Sequence, residues 1–147
     1  MPRGRLFSFL FAAVVPVIAG CSGTSSLVAV EGVVTIRGTP AANLLIQFTP
    51  VDWTSDSPIV SSHAVSDENG RFVLMSTTNK PGAVLGSHKV TVVDNALSIE
   101  DEPGEGQSKN RPRSRVPSVY NSAATTPIEL VVEAGKKDYE VQVGAGR

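Results

Sequence analysis

Between residues 28 and 143 apolar side chains recur at every second position in short runs, and glycine, proline, asparagine or serine breaks each run. A period of two puts alternate side chains on opposite faces of an extended chain, whereas a helix needs a period near 3.6, so the pattern predicts strands with one buried face. Val28, Val30, Gly32, Val34 and Ile36 share a face in the first run, which Gly38-Thr39-Pro40 ends. Leu44, Ile46 and Phe48 alternate with Leu45, Gln47 and Thr49 up to Pro50, and a weaker run covers residues 60–66. Asp67-Glu68-Asn69-Gly70 supplies the positive-φ residues of a chain reversal. Phe72 and Leu74, then Val90 and Val92, form the inward faces of the fourth and fifth strands. Ile128, Leu130 and Val132, followed by Tyr139, Val141 and Val143 across Ala134-Gly135-Lys136-Lys137, read as a terminal hairpin. The expected fold is all-β, an antiparallel sandwich of about seven strands, and no run reads as a helix.

The first 21 residues obey different rules. Arg3 and Arg5 precede an uncharged stretch from Leu6 to Ile18, and Ala19-Gly20-Cys21 closes it. A basic start, an apolar run of signal-peptide length and small residues at its end are the three parts of an export signal. The apolar run is too short to cross a bilayer, which takes roughly 20 residues. Ile18-Ala19-Gly20-Cys21 looks like a bacterial lipobox: cleavage between Gly20 and Cys21 would follow addition of diacylglycerol to the Cys21 thiol. A buried helix ending in Gly-Cys and a plain secretory signal cut elsewhere are the competing readings. The chain has 1 cysteine, at the position a lipobox requires, so an exported domain would form no internal disulfide and keep no free thiol once acylated. Two or three acyl chains anchor a protein firmly where one does so only marginally.

The expected organisation is therefore a lipoprotein signal peptide at 1–20, a lipidated tether at 21–27 and a single β-sandwich domain at 28–147 with a mobile loop at 95–116. The roughly 127 residues left after cleavage suffice for one small core and not for two. Ser22-Gly23-Thr24-Ser25-Ser26 is a polar tether with a reach of about 12 to 15 Å. Ser22 stands where inner-membrane lipoproteins typically carry aspartate, which points to the outer membrane. A net charge of −1 gives no sign of a nucleic-acid surface. In the loop, acidic residues from Glu100 to Glu105 precede Arg111, Arg113 and Arg115, with almost nothing to bury. The three arginines offer a partner-binding arm as an alternative to a plain mobile loop.

The segments Val30 to Pro40, Gln47 to Pro50, Asp67 to Leu74 and Gly86 to Val92 follow the order Val-x-Gly-x-Val-Thr-x-x-Gly-x-Pro, a strand ending Phe-Thr-Pro, Asp-x-x-Gly-x-Phe-x-Leu and Gly-x-x-Lys-Val-Thr-Val. Val116-Pro117-Ser118-Val119-Tyr120-Asn121 then precedes Thr125-Thr126-Pro127-Ile128. Together these resemble small lipoproteins of planctomycete-type bacteria with a carboxypeptidase-regulatory-like, or transthyretin-like, domain. The resemblance implies a transthyretin-like or immunoglobulin-like sandwich and implies little about function, because its motifs are turn and strand chemistry. In that class the residue before Lys89 is usually aromatic; here it is His88. The enzymatic branch of the fold, the hydroxyisourate hydrolases, ends in Tyr-Arg-Gly-Ser, whereas this chain ends Val143-Gly144-Ala145-Gly146-Arg147.

The chemistry-bearing residues are few. His88 and His63 are the 2 histidines, and with Cys21 acylated a metal site would need carboxylates from distant turns. An inward His88 needs a hydrogen-bond partner or must stay neutral. Asp67, Glu68 and Asn69 have too few regularly spaced oxygens for a calcium loop and read as a turn. Gly-x-Ser-x-Gly is missing from the sequence. Trp53, between Asp52 and Thr54, either stacks on a sugar ring or folds over the sandwich edge. The expected function is a non-catalytic, lipid-anchored envelope module, structural or protein-binding, with no cofactor. The other reading is a carbohydrate-binding module built on Trp53. Its partners would be the membrane, through Cys21, and an envelope protein or glycan.

Overall fold

The alternating runs become strands in the computed structural model, which describes residues 26–52, 59–97 and 113–144. Eleven strands follow in order: β1 (Leu27–Val28), β2 (Glu31–Ile36), β3 (Thr39–Pro40), β4 (Leu44–Pro50), β5 (Ser62–Val65), β6 (Arg71–Val73), β7 (Met75–Ser76), β8 (Ala83–Val84), β9 (Gly86–Asp94), β10 (Glu129–Val132) and β11 (Asp138–Val143). Two 3₁₀ turns, Asn95–Leu97 and Ser118–Asn121, complete the elements, and no α-helix occurs among the described residues. Each of the seven expected runs falls on an observed strand, and the extra elements are two-residue pairings at bends.

One antiparallel sheet has the order β10-β9-β4-β5-β7; the second has the order β11-β2-β3, with β6 also on β2; β1 and β8 form a separate two-stranded ribbon. Their inner faces meet in one core. Leu44, Ile46, Phe48, Ala64, Val90, Val92 and Val132 come from the first sheet, and Val30, Val34, Phe72, Tyr139, Val141 and Val143 from or beside the second. Phe48 and Phe72 face one another across the interior at 6.4 Å. Such volume-filling side chains in contact supply the main favourable term in folding.

The terminal pair departs from the expected hairpin. β10 pairs with β9 in antiparallel register, while β11 crosses to the other sheet and lies parallel to β2, Asp138 opposite Glu31 and Val143 opposite Ile36. Alternation reveals which face of a strand is buried, not which strand lies beside it, so two neighbouring runs can fit opposite sheets equally well. The second sheet is thus not wholly antiparallel. Two tyrosine hydroxyls secure the crossing: Tyr139 accepts from the Glu133 N–H at 3.0 Å and Tyr120 from the Gly144 N–H at 2.9 Å.

The expected loop at 95–116 also needs trimming. Asn95–Leu97 is a 3₁₀ turn, Val116 is a core residue, and Arg115 is clasped by Asp94; residues 98–112, with Arg111, lie outside the described residues. The reversal at 67–70 forms as expected. Asp67 Oδ1 accepts the N–H groups of Asn69 and Arg71, each at 2.8 Å, and Gly70 takes φ 73°.

Candidate functional site

β9 carries the most informative polar residues, because its inward register runs His88, Val90, Val92 and Asp94. His88 is fully buried, its ring 5.9 Å from that of Phe48. Its Nδ1 lies 2.9 Å from the Gly86 carbonyl, which can only accept, so Nδ1 carries the proton of the neutral ring. Nε2 is then a bare acceptor and meets no donor among the described residues. Burial pushes the pKa below 6.5, against the smaller opposing effects of the Gly86 carbonyl and the nearby Asp52. An inward His88 needs a hydrogen-bond partner or must stay neutral, and the Gly86 carbonyl is that partner.

The unfolded chain binds a proton near pH 6.5 more readily than the folded one, so stability is full above that pH and falls below it, by at most about 1.4 kcal/mol per pH unit. His88→Phe, which offers the apolar ring no proton, is expected to flatten the loss of melting temperature between pH 7.5 and 5.5. An equally steep loss in the variant would assign that acid sensitivity to other groups.

Asp94 and Arg115 form the other polar constellation. Arg115 donates to Asp94 Oδ2 from its backbone N–H at 3.0 Å and from Nε at 2.9 Å, and to Oδ1 from Nη2 at 2.7 Å. Nη2 also donates to the Ala42 carbonyl at 2.9 Å. The Asp94 side chain is only 3% exposed, and these hydrogen bonds, outweighing desolvation, hold its pKa below 3.8. Sequence reading left Arg115 in a free loop. The signal was the phase of β9, which puts a carboxylate on the inward face after Val90 and Val92 and so demands a cation.

His63 projects from the outer face of β5, opposite Gln47 and Met75, while its neighbours Ser62 and Ala64 are buried. The two histidines therefore point to opposite faces of one sheet and cannot share a ligand. Among the described residues no three or more His, Cys, Asp or Glu side chains are grouped to hold a metal. Cys21, Gly20 and Trp53 lie outside the described residues.

A groove of about 810 Å³ opens over the second sheet, lined by parts of β2, β6 and β11 together with Val65 and Asp67. Register explains it: Glu31 lies between Val73 and Asp138, and Val33 between Arg71 and Glu140, on the outer face. Valine side chains thus sit among the carboxylates of Glu31, Asp67, Asp138 and Glu140, with the guanidinium of Arg71. Such a surface suits apolar and charged contact with another molecule. It could not be read from one strand, since three strands contribute to it. No protein-family model matches the chain, and neither a curated protein nor a solved structure shows significant similarity to it.

Proposed function

We propose that this protein is a lipid-anchored component of the cell envelope, held to the outer membrane through Cys21, whose transthyretin-like sandwich serves as a structural or protein-interaction module without catalysis. The observation that carries the reading is how the polar side chains are used. Asp67 closes a turn, Asp94 and Arg115 clasp the start and end of a long connection, and Ser62 and Ser66 donate to the Gly82 and Ala41 carbonyls at 2.8 Å. His88 Nδ1–H caps Gly86. These groups hold the framework together, and the valine-lined groove beside β11 offers the partner surface.

Labelled palmitate should enter the wild-type chain and not Cys21→Ser, with the label following the outer-membrane fraction; label in both would remove the anchor. The lipidated full chain in detergent, mixed with envelope proteins and glycans, should retain a protein partner saturably. Retention of glycan instead, abolished by Trp53→Ala without a change in melting, would replace this reading with carbohydrate binding.

A further inference from the structure

The ladders place the start of β2, β5, β9 and β11 and the finish of β4, β6 and β10 at one end of the sandwich. Glu31 is opposite both Asp138 and Val73, Phe48 is opposite Ser62, Pro50 is opposite His88, and Gly86 is opposite Val132. The N-terminal segment reaches the domain at the same end, because β1 pairs with β8, Leu27 opposite Val84, immediately before Gly86. Continuing that register sets Ser26 across from Leu85. This end also gathers most of the large apolar side chains left exposed: Val51, whose N–H donates to Ser87 at 2.8 Å, with Ile59, Val73, Met75 and Leu85. Leu85 is 44% exposed although it follows the Ala83–Val84 strand directly. The charges at this end are of both signs, Lys136 and Lys137 with Glu31, Asp52, Glu133 and Asp138, and the exposed apolar side chains lie among them.

We infer that this end of the sandwich rests on the bilayer, with Leu85 and Val51 reaching into the headgroup region beside the acyl anchor. The inference relies on acylation of Cys21. Cys21 to Ser26 is six residues, a length with an expected reach of about 12 to 15 Å, so an acylated Cys21 holds Leu85 within reach of the lipid surface. Tethering makes the contact intramolecular, and weak apolar surface that would not bind a membrane alone is then sufficient to orient the domain.

The test uses the full-length lipidated protein in phosphatidylethanolamine–phosphatidylglycerol vesicles, carrying Leu85→Cys, Val51→Cys or Val119→Cys labelled with bimane. Val119 has the same 44% exposure as Leu85 and belongs to the Ser118–Asn121 turn, whose Tyr120 bonds Gly144 just past the opposite end of β11. Nitroxide-labelled lipid should quench bimane at 85 and 51 at least about threefold more than at 119, and aqueous iodide should reverse the order. Equal quenching at all three positions, with one label per chain, overturns the orientation and leaves the anchor standing. Two labels per chain show a free Cys21 thiol and overturn the anchor, and the orientation with it.

Discussion

Gly32→Ala is expected to destabilise the domain by about 3 kcal/mol or more, lowering the melting temperature by on the order of 10 °C, although it adds a single methyl group. Gly32 is the second residue of the β2–β11 ladder, opposite Tyr139, and the middle one of the β2–β6 pairing, opposite Phe72. A Cβ there would stand 2.0 Å from the Tyr139 carbonyl oxygen and 2.8 Å from Phe72 Cζ. The phenyl ring can tilt, but the carbonyl belongs to a paired strand and cannot move without breaking the parallel ladder. Thermal and urea unfolding of the variant would measure the loss, and a melting temperature within about 2 °C of wild type would mean that β11 does not approach β2 this closely. The same substitution at Gly135, where a Cβ meets nothing within 4 Å but φ is 84°, measures the cost of a left-handed backbone alone, about 1 kcal/mol, against which the close approach at Gly32 is read.

Arg115→Ala is expected to cost about 2 to 3 kcal/mol, because it leaves the Asp94 carboxylate buried with backbone N–H groups, those of residues 115 and 96, and no cation to stabilise it. The side chain of Arg115 is 45% exposed, which keeps the figure below that of a fully enclosed pair. Asp94→Asn should cost less, since an amide carries no charge to strand. In a double-mutant cycle the two losses should overlap, with a coupling of about 1 to 2 kcal/mol; simple additivity would deny the clasp. Acid gives an independent check. The folded pKa of Asp94 lies below 3.8, so its contribution is complete above that value and is lost as pH falls through the lower, folded one. The advantage of wild type over Asp94→Asn should hold at pH 6 and disappear in stronger acid.

The strands were legible in the sequence because Leu44, Ile46 and Phe48, or Tyr139, Val141 and Val143, repeat with the period of an extended chain, and the same residues fill the core. What alternation leaves open is partnership. β10 and β11 carry the pattern of a hairpin, and the crossover between sheets depends on tertiary packing of Tyr139 and Tyr120, whose hydroxyl bonds are local in space and distant in reading. The inward histidine was legible from its phase on β9. Applied two residues further than Val92, the same phase exposes Asp94 and with it the clasp to Arg115. The groove was illegible because Glu31, Val73 and Asp138 come from strands whose adjacency no single run encodes.

Pairing β2 with β11 also sets when the domain can become native. β2 is the central strand of its sheet, yet its longest ladder is to the last strand of the chain, about a hundred residues away. Closing so long a loop must precede the contacts that reward it, which makes completion of the sheet a late and slow event. Until residues 138–143 arrive, β2 has only the short pairings with β3 and β6. The topology thus leaves the second sheet incomplete until the segment through Val143 is in place, whatever the earlier strands have already done.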